Sequence, residues 1–166
     1  MFNYYLLLFF PAVMVFAALL DIFTMTISNK ISLVLLGSFL VIAPLTGMAW
    51  DQFLSHIGIG FVILVIGIVL FAFGFLGGGD AKLLAAASLW IGYDLPVYLL
   101  AVTQIGAVLA IAILIYRKMS LPLWMPNWQW AMRLHNKKEG IPYGVAIAGG
   151  VLLIFPTTSW FLAAAV

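Results

Sequence analysis

Residues 52–79 of the chain read QFLSHIGIGFVILVIGIVLFAFGFLGGG, a stretch without a charged side chain that ends directly before Asp80. It is longer than the roughly 20 helical residues needed to cross the hydrocarbon core of a bilayer. A strand of a membrane β-barrel would alternate apolar and polar side chains, whereas every residue from 61 to 66 is apolar. The stretch therefore predicts a membrane-spanning helix.

Charge-free stretches of this kind recur along the chain. Of its 166 residues, 66% are hydrophobic and 7% are charged, whereas a soluble domain carries roughly 25% charged residues. This composition excludes a soluble enzyme, a disordered tail and a nucleic-acid binder. We predict an all-α, polytopic membrane protein that forms a single domain over residues 1–166. The six helices are predicted at about residues 3–22, 31–49, 54–76, 81–92, 95–116 and 143–164.

The basic residues predict the orientation of the chain in the bilayer. With six crossings, all seven lysines and arginines fall on one side of the membrane, in the connections 21–30, 77–82 and 117–139. By the positive-inside rule that side is cytoplasmic. Both termini are then non-cytoplasmic, and the protein is predicted to lie in the cytoplasmic (inner) membrane. The last connection also holds tryptophans, including Trp124 and Trp128, and is predicted to lie at the membrane interface.

Two aspartates at the predicted cytoplasmic edge are the candidate functional residues. Asp21 and Asp80 border long apolar runs, and an Asp embedded in the membrane costs about 2.5–3.5 kcal/mol on translocon scales. The glycines at 77–79 allow close backbone approach, which favours a functional role for Asp80 over the alternative of a simple helix N-cap. The other acids are interpreted as solvated charges. They are Asp51, Asp94 and Glu139.

Three motifs link these aspartates to a known family. The pattern GxGDxKL matches residues 77–83, an Asp followed eight residues later by an Asn matches Asp21 and Asn29, and Pro-Tyr-Gly matches residues 142–144. On these motifs the chain resembles the type IV prepilin leader peptidases, membrane aspartyl proteases of the GxGD type. It most resembles their short single-domain form, associated with Flp or tight-adherence pili. The first motif departs from the family pattern, because it lacks the usual arginines and Ser28 replaces the usual proline.

The resemblance implies that Asp21 and Asp80 are the catalytic residues. In an aspartyl protease two carboxyl groups share one proton; one takes a proton from the attacking water and the other donates to the scissile carbonyl oxygen. Supporting or substrate-binding roles are implied for Gly77, Gly78, Gly79, Lys82, Asn29, Pro142, Tyr143 and Gly144. Three of these have a second interpretation. Lys82 could mark the membrane boundary or bind an acid or a phospholipid headgroup, Asn29 could be a turn residue, and Tyr143 could belong to an interfacial aromatic belt.

The substrate implied by the resemblance is a prepilin, in which a short basic leader precedes a hydrophobic helix. The lipid bilayer is the other expected partner. We expect no cofactor and no metal, because His56 and His135 are placed in connections on opposite sides of the membrane. Longer family members carry a cytoplasmic insertion with paired Cys motifs and also methylate the new N-terminus. Since this chain has no Cys and a short connection between its first two helices, we expect proteolysis without N-methylation.

Other interpretations stay open. An archaeal-type preflagellin peptidase would share the GxGD motif, and a non-catalytic membrane scaffold of pilus assembly would fit the altered first motif. A small transporter or proton channel would carry polar residues through the bilayer, which residues 52–79 almost lack. Homo-oligomerisation is also an open alternative.

Overall fold

The described part of the chain is all-helical, as the sequence predicts. The computed structural model describes residues 2–120 and 128–165, and within these ranges it contains no β-strand. The helices are α1 (Phe2–Leu7), α2 (Phe9–Thr24), α3 (Asn29–Leu45), α4 (Trp50–Ala72), α5 (Gly78–Ile91), α6 (Leu95–Tyr116), α7 (Gln129–His135), α8 (Tyr143–Ile154) and α9 (Ser159–Ala165). Short 3-10 turns follow α5 at Gly92–Asp94 and α8 at Phe155–Thr157.

In these ranges, three stretches of helix are long and apolar enough to cross a membrane. They are Tyr4–Thr24, which contains α2, Trp50–Ala72, which is α4, and Gly78–Tyr116, in which α6 follows α5. Shorter apolar helices cover Asn29–Leu45 and Tyr143–Thr157. The helices are those of a membrane protein, while the six crossings, the position of the termini and the single domain stay predictions.

Helix α4 ends at Ala72, before the predicted end at residue 76. Gly74 adopts a left-handed φ of +75°, and the N–H of Phe75 donates to the carbonyl of Leu70 at 2.9 Å. This is a Schellman arrangement, in which a glycine without a Cβ closes the helix. Gly47, with a φ of +79°, ends α3 in the same way. Glycines inside apolar runs thus decide where these helices stop.

The predicted helix over residues 143–164 is interrupted. A 3-10 turn that contains Pro156 follows α8, because proline cannot supply the N–H that would continue the α-helix. The hydroxyl of Thr158 then accepts a hydrogen bond from the N–H of Phe161 at 3.3 Å. Thr158 therefore starts α9 as a separate helix.

Small residues allow the central helices to pack closely, as in other membrane helix pairs. A Cβ placed on Gly60 of α4 would lie 2.9 Å from the Cβ of Leu89 in α5. One placed on Gly150 of α8 would lie 2.6 Å from Val102 in α6. Gly58 stands two residues before Gly60 in the same helix but faces open space, so it has no packing role of this kind.

His56 was expected in a connection, and this prediction is wrong. The residue lies inside α4 and is 2% exposed. Its Nδ1 donates to the carbonyl oxygen of Leu89 at 2.9 Å, close to the point where Gly92 ends α5. Phe39 stacks on the imidazole ring. His56 of α4 is therefore a buried packing residue. It contacts the C-terminal end of α5, whereas Asp80 stands at the N-terminal end of that helix.

The connection after α6 is described in part. Trp124 lies outside the described residues. The rings of Trp128 and Trp130 are stacked with centroids 5.8 Å apart, and Trp130 packs edge-on against Phe23 of α2 at 5.8 Å. These rings precede or begin α7, a short helix that the sequence did not predict. The position of this segment at the membrane interface stays a prediction.

Candidate active site

Asp21 lies near the end of α2 and is 5% exposed. The backbone N–H of Gly144 donates to its Oδ2 at 2.8 Å. Gly144 stands in the first turn of α8, where backbone N–H groups have no partner within the helix. A Cβ at this position would lie 2.8 Å from the same carboxylate oxygen. The lack of a side chain on Gly144 therefore lets its N–H reach the carboxylate of Asp21.

Asp80 stands in the first turn of α5. Helix α5 begins at Gly78, after the N-cap residue Gly77, so the alternative of Asp80 as the N-cap is wrong. The carboxylate of Asp80 instead lies against the backbone of Gly77, where an added Cβ would be 2.6 Å from its Oδ2. The Asp80 side chain is therefore directed back towards the start of α5.

The structure brings the two aspartates and the three motifs together. Asp21, near the end of α2, is bound by the N–H of Gly144 in α8, and Asp80 stands in the first turn of α5. Ile27 packs against the starts of both α5 and α8: a Cβ on Gly79 would lie 3.1 Å from the Cβ of Ile27, and one on Gly144 would lie 3.0 Å from its Cδ1. The site is thus assembled from the end of α2, the start of α5 and the start of α8.

A sequence model of the type IV leader peptidase family matches residues 8–115. The chain belongs to the type IV leader peptidase family. The match includes Asp21 and Asp80, whereas Gly144 lies beyond it and is connected to them by the hydrogen bond to Asp21.

Two named relatives match part of the chain. The chain is 33% identical over 92 residues to proteins called prepilin leader peptidase/N-methyltransferase from Aeromonas salmonicida (strain A449) and from Aeromonas hydrophila. Each alignment covers 52% of this chain and 26% of the relative, so the chain matches about a quarter of their length. No solved structure gives a significant match.

In this family member the three glycines before Asp80 differ in their surroundings. A Cβ on Gly77 would lie 2.6 Å from Oδ2 of Asp80, and one on Gly79 would meet the carbonyl oxygen of Ile27 at 3.2 Å. A Cβ on Gly78 would meet the ring of Phe71 at 3.3 Å. Gly77 and Gly79 therefore give room to the site itself, and Gly78 faces a neighbouring side chain.

Lys82 and Asn29 are brought together, but away from Asp80. The Nζ of Lys82 donates to Oδ1 of Asn29 at 2.9 Å. Lys82 follows Asp80 by two residues, which is about 200° around an α-helix with 3.6 residues per turn. The pair therefore lies on a different side of α5 from the carboxyl group of Asp80.

The Pro-Tyr-Gly motif contributes its backbone to the site. Pro142 is buried and is the N-cap residue of α8. The hydroxyl of Tyr143 lies against α6, where a Cβ on Gly106 would be 2.7 Å from it. The N–H of Gly144 is the group of this motif that contacts Asp21.

Arg117 is a residue of this region that the sequence analysis missed. Its Nε donates to the carbonyl of Leu134 at 2.8 Å, and its Nη2 donates to the carbonyls of Glu139 at 3.0 Å and Gly140 at 2.8 Å. The last two of these carbonyls lie just before the Pro-Tyr-Gly motif, and that of Leu134 lies in α7. In the sequence Arg117 is one basic residue among several at a helix end, and no local pattern indicates its partners.

Arg133 makes a similar contact with a backbone carbonyl of α2. Its Nη2 donates to the carbonyl of Phe23 at 2.8 Å, near the end of the helix that carries Asp21. Glu139 is exposed, in agreement with a solvated charge. Among the residues that the structure describes, no group of three or more His, Cys, Asp or Glu side chains is placed to hold a metal, and the expectation of a metal-free site stays a prediction.

Proposed function

We propose that the protein is a membrane-embedded aspartyl endopeptidase that removes the basic leader from type IV prepilins of the Flp type. Asp21 and Asp80 are its catalytic residues. The observation that carries the proposal is the geometry around Ile27, which packs against Gly79, the residue before Asp80, and against Gly144, whose N–H holds the carboxylate of Asp21. Membership of the type IV leader peptidase family supports the choice of a leader peptide as substrate.

The proposed chemistry uses both carboxyl groups. Like charges a few ångströms apart disfavour ionisation of both, so the pair shares one proton. The ionised group takes a proton from a water molecule, whose oxygen forms a bond to the scissile carbonyl carbon. The protonated group donates to the carbonyl oxygen. The C–N bond then breaks as the leaving amine receives a proton. The pair titrates as a unit, so neither aspartate is assigned as the base.

The proposed reaction does not include N-methylation of the product. The connection between α2 and α3 spans residues 25–28, which leaves no room for an inserted domain at this point. The chain also contains no Cys. The relatives whose names include an N-methyltransferase are matched over 26% of their length, a share that fits one of their two named activities.

We propose that cleavage takes place at the cytoplasmic face of the inner membrane. Lys30 lies in the first turn of α3 and Lys82 in the second turn of α5, near the helix starts on the same side as Asp80. By the positive-inside rule, this basic side faces the cytoplasm. A prepilin leader that carries basic residues would remain on that side, next to the two aspartates. In this orientation the chain crosses the membrane six times and both termini are non-cytoplasmic.

The test is cleavage of a co-expressed prepilin, followed by gel shift and by mass spectrometry of the new N-terminus. The variants Asp21→Asn and Asp80→Asn keep the side-chain shape and remove the charge, and each is expected to abolish cleavage at normal membrane levels. Asp51→Asn, an exposed acid in the first turn of α4, is the matched control and keeps activity. Cleavage that persists without Asp21 would contradict the pair, and a methylated product would contradict the absence of methyl transfer.

A further inference from the structure

A groove runs along the outside of the helix bundle between α3, α4 and α5. Its volume is about 560 Å³. The polar residues of its lining, Asn29, Ser32 and Lys82, all stand near the starts of α3 and α5. The rest of the lining is apolar and continues to Leu36 and Leu89. Those residues lie seven positions further along each helix, which is about 10 Å at 1.5 Å per residue. The groove therefore has a polar mouth and an apolar length.

The mouth carries a positive charge. An ammonium group has three donors, and the hydrogen bond of Lys82 goes to the neutral amide oxygen of Asn29, which leaves the charge uncompensated by that partner. The first turn of α3 begins at Asn29, and the start of a helix adds a partial positive charge. The Oγ of Ser32 is shielded and has no hydrogen-bond partner in the part of the chain that the structure describes. These groups favour an anionic ligand with several acceptor oxygens.

We propose that this groove binds an anionic glycerophospholipid. The phosphate lies at Lys82 and Asn29, and one acyl chain lies along the apolar lining. The groove has a cation at its mouth and an apolar lining beyond it. A glycerophospholipid has a phosphate followed by an acyl chain, so its two parts match the two parts of the groove in the same order. An apolar helix of a substrate or of a second copy would match the apolar length but would have no counter-charge for Lys82. This site is separate from the proposed peptidase site, because Lys82 points away from Asp80 around α5.

The test compares lipids that differ only in headgroup charge. The purified full chain is exchanged into detergent with equal amounts of phosphatidylglycerol and phosphatidylcholine that have the same acyl chains, and retained lipid is measured by native mass spectrometry. We expect the wild type to retain phosphatidylglycerol roughly fivefold better, the effect of one basic side chain on an anionic lipid. Equal retention of the two lipids by the wild type would overturn the proposal without any variant.

Variants separate the headgroup from the acyl chain. Lys82→Gln removes the preference for phosphatidylglycerol, Lys82→Arg keeps it, and Ala86→Phe, which fills the apolar lining, lowers retention of both lipids. Lys118→Gln, an exposed lysine outside the groove, is the matched control and retains lipid like the wild type. Equal loss in Lys118→Gln and Lys82→Gln would overturn the proposal. The proposal would also be overturned if the wild type formed a dimer without any headgroup preference and Ala86→Phe disrupted that dimer. The groove would then hold a second copy of the chain.

Discussion

The N–H of Gly144 donates a hydrogen bond of 2.8 Å to Oδ2 of Asp21 and so joins the start of α8 to the end of α2. The two residues are far apart in the sequence, and each belongs to a different motif. A backbone donor has a fixed direction, because the first turn of α8 holds it. The hydrogen bond therefore orients one of the two carboxyl groups without a further side chain.

Replacement of Gly144 by alanine tests this orientation. The added Cβ would lie 2.8 Å from Oδ2 of Asp21 and 3.0 Å from Cδ1 of Ile27, so the carboxylate must move. A displacement of about 1 Å in a catalytic group can cost about 100-fold in rate, and we expect a loss of that order in prepilin cleavage. Gly140→Ala is the control, because Gly140 precedes the same helix and has nothing within 4 Å of an added Cβ. Similar activity in the two variants would show that the orientation of Asp21 does not depend on Gly144.

The glycines before Asp80 should differ in their tolerance of alanine. Gly79→Ala brings a Cβ within 3.2 Å of the carbonyl oxygen of Ile27, a backbone atom that cannot turn aside. In Gly78→Ala the Cβ meets the ring edge of Phe71 at 3.3 Å, and this exposed side chain can shift. We expect Gly79→Ala to lose most prepilin cleavage and Gly78→Ala to retain most of it, at equal membrane levels. The reverse order would contradict the close packing of Ile27 against Gly79.

The helices and the two aspartates could be predicted from the sequence because their signals are local. Charge-free runs predict the helices, and the glycines next to Asp80 mark the start of α5. The ends of α3 and α4 carry local signals as well. Gly47 and Gly74 stand where these helices stop, although within an apolar run a glycine also fits a packing position.

Other parts of the site could not be predicted, because they depend on contacts between distant segments. Gly58 and Gly60 have the same local pattern, yet one faces open space and the other faces Leu89; the rotation of α4 decides between them. His56 was misplaced for the same reason, since its partner is a carbonyl of α5. Of the three carbonyls that Arg117 contacts, one belongs to the short helix α7 and two to the connection after it, and no local sequence pattern indicates these partners.

The packing of α4 against α5 predicts a difference in stability between two neighbouring glycines. Gly60→Ala places a Cβ 2.9 Å from that of Leu89, and overpacking of this kind costs about 1–3 kcal/mol. Gly58→Ala meets nothing within 4 Å and gains up to about 1 kcal/mol, because alanine favours the helix over glycine. Thermal unfolding in detergent measures both variants. A Gly60→Ala variant as stable as the wild type would contradict the close contact between the two helices.

Arg117 is predicted to be a positioning residue for the site. Its guanidinium group holds the carbonyls of Glu139 and Gly140 and thereby fixes the chain just before the Gly144 N–H that contacts Asp21. Arg117→Ala frees this segment, and we expect a loss in kcat of roughly 10- to 100-fold, as for other small displacements of catalytic groups. Arg117→Lys keeps the charge but has no planar fork to bind several carbonyls at once, so it should restore little activity.

A second measurement separates this role from a general loss of stability. Hydrogen exchange of the segment that contains Gly144 should become faster in Arg117→Ala, while exchange in the α4 and α5 pair stays as in the wild type. Lys118→Ala is the control, because Lys118 is the adjacent basic residue and is exposed. Two outcomes would contradict the positioning role. One is a loss of activity in Arg117→Ala with unchanged exchange at Gly144, and the other is full activity in Arg117→Lys. Either would show that the site requires the charge of Arg117 and not its hydrogen bonds to the two carbonyls.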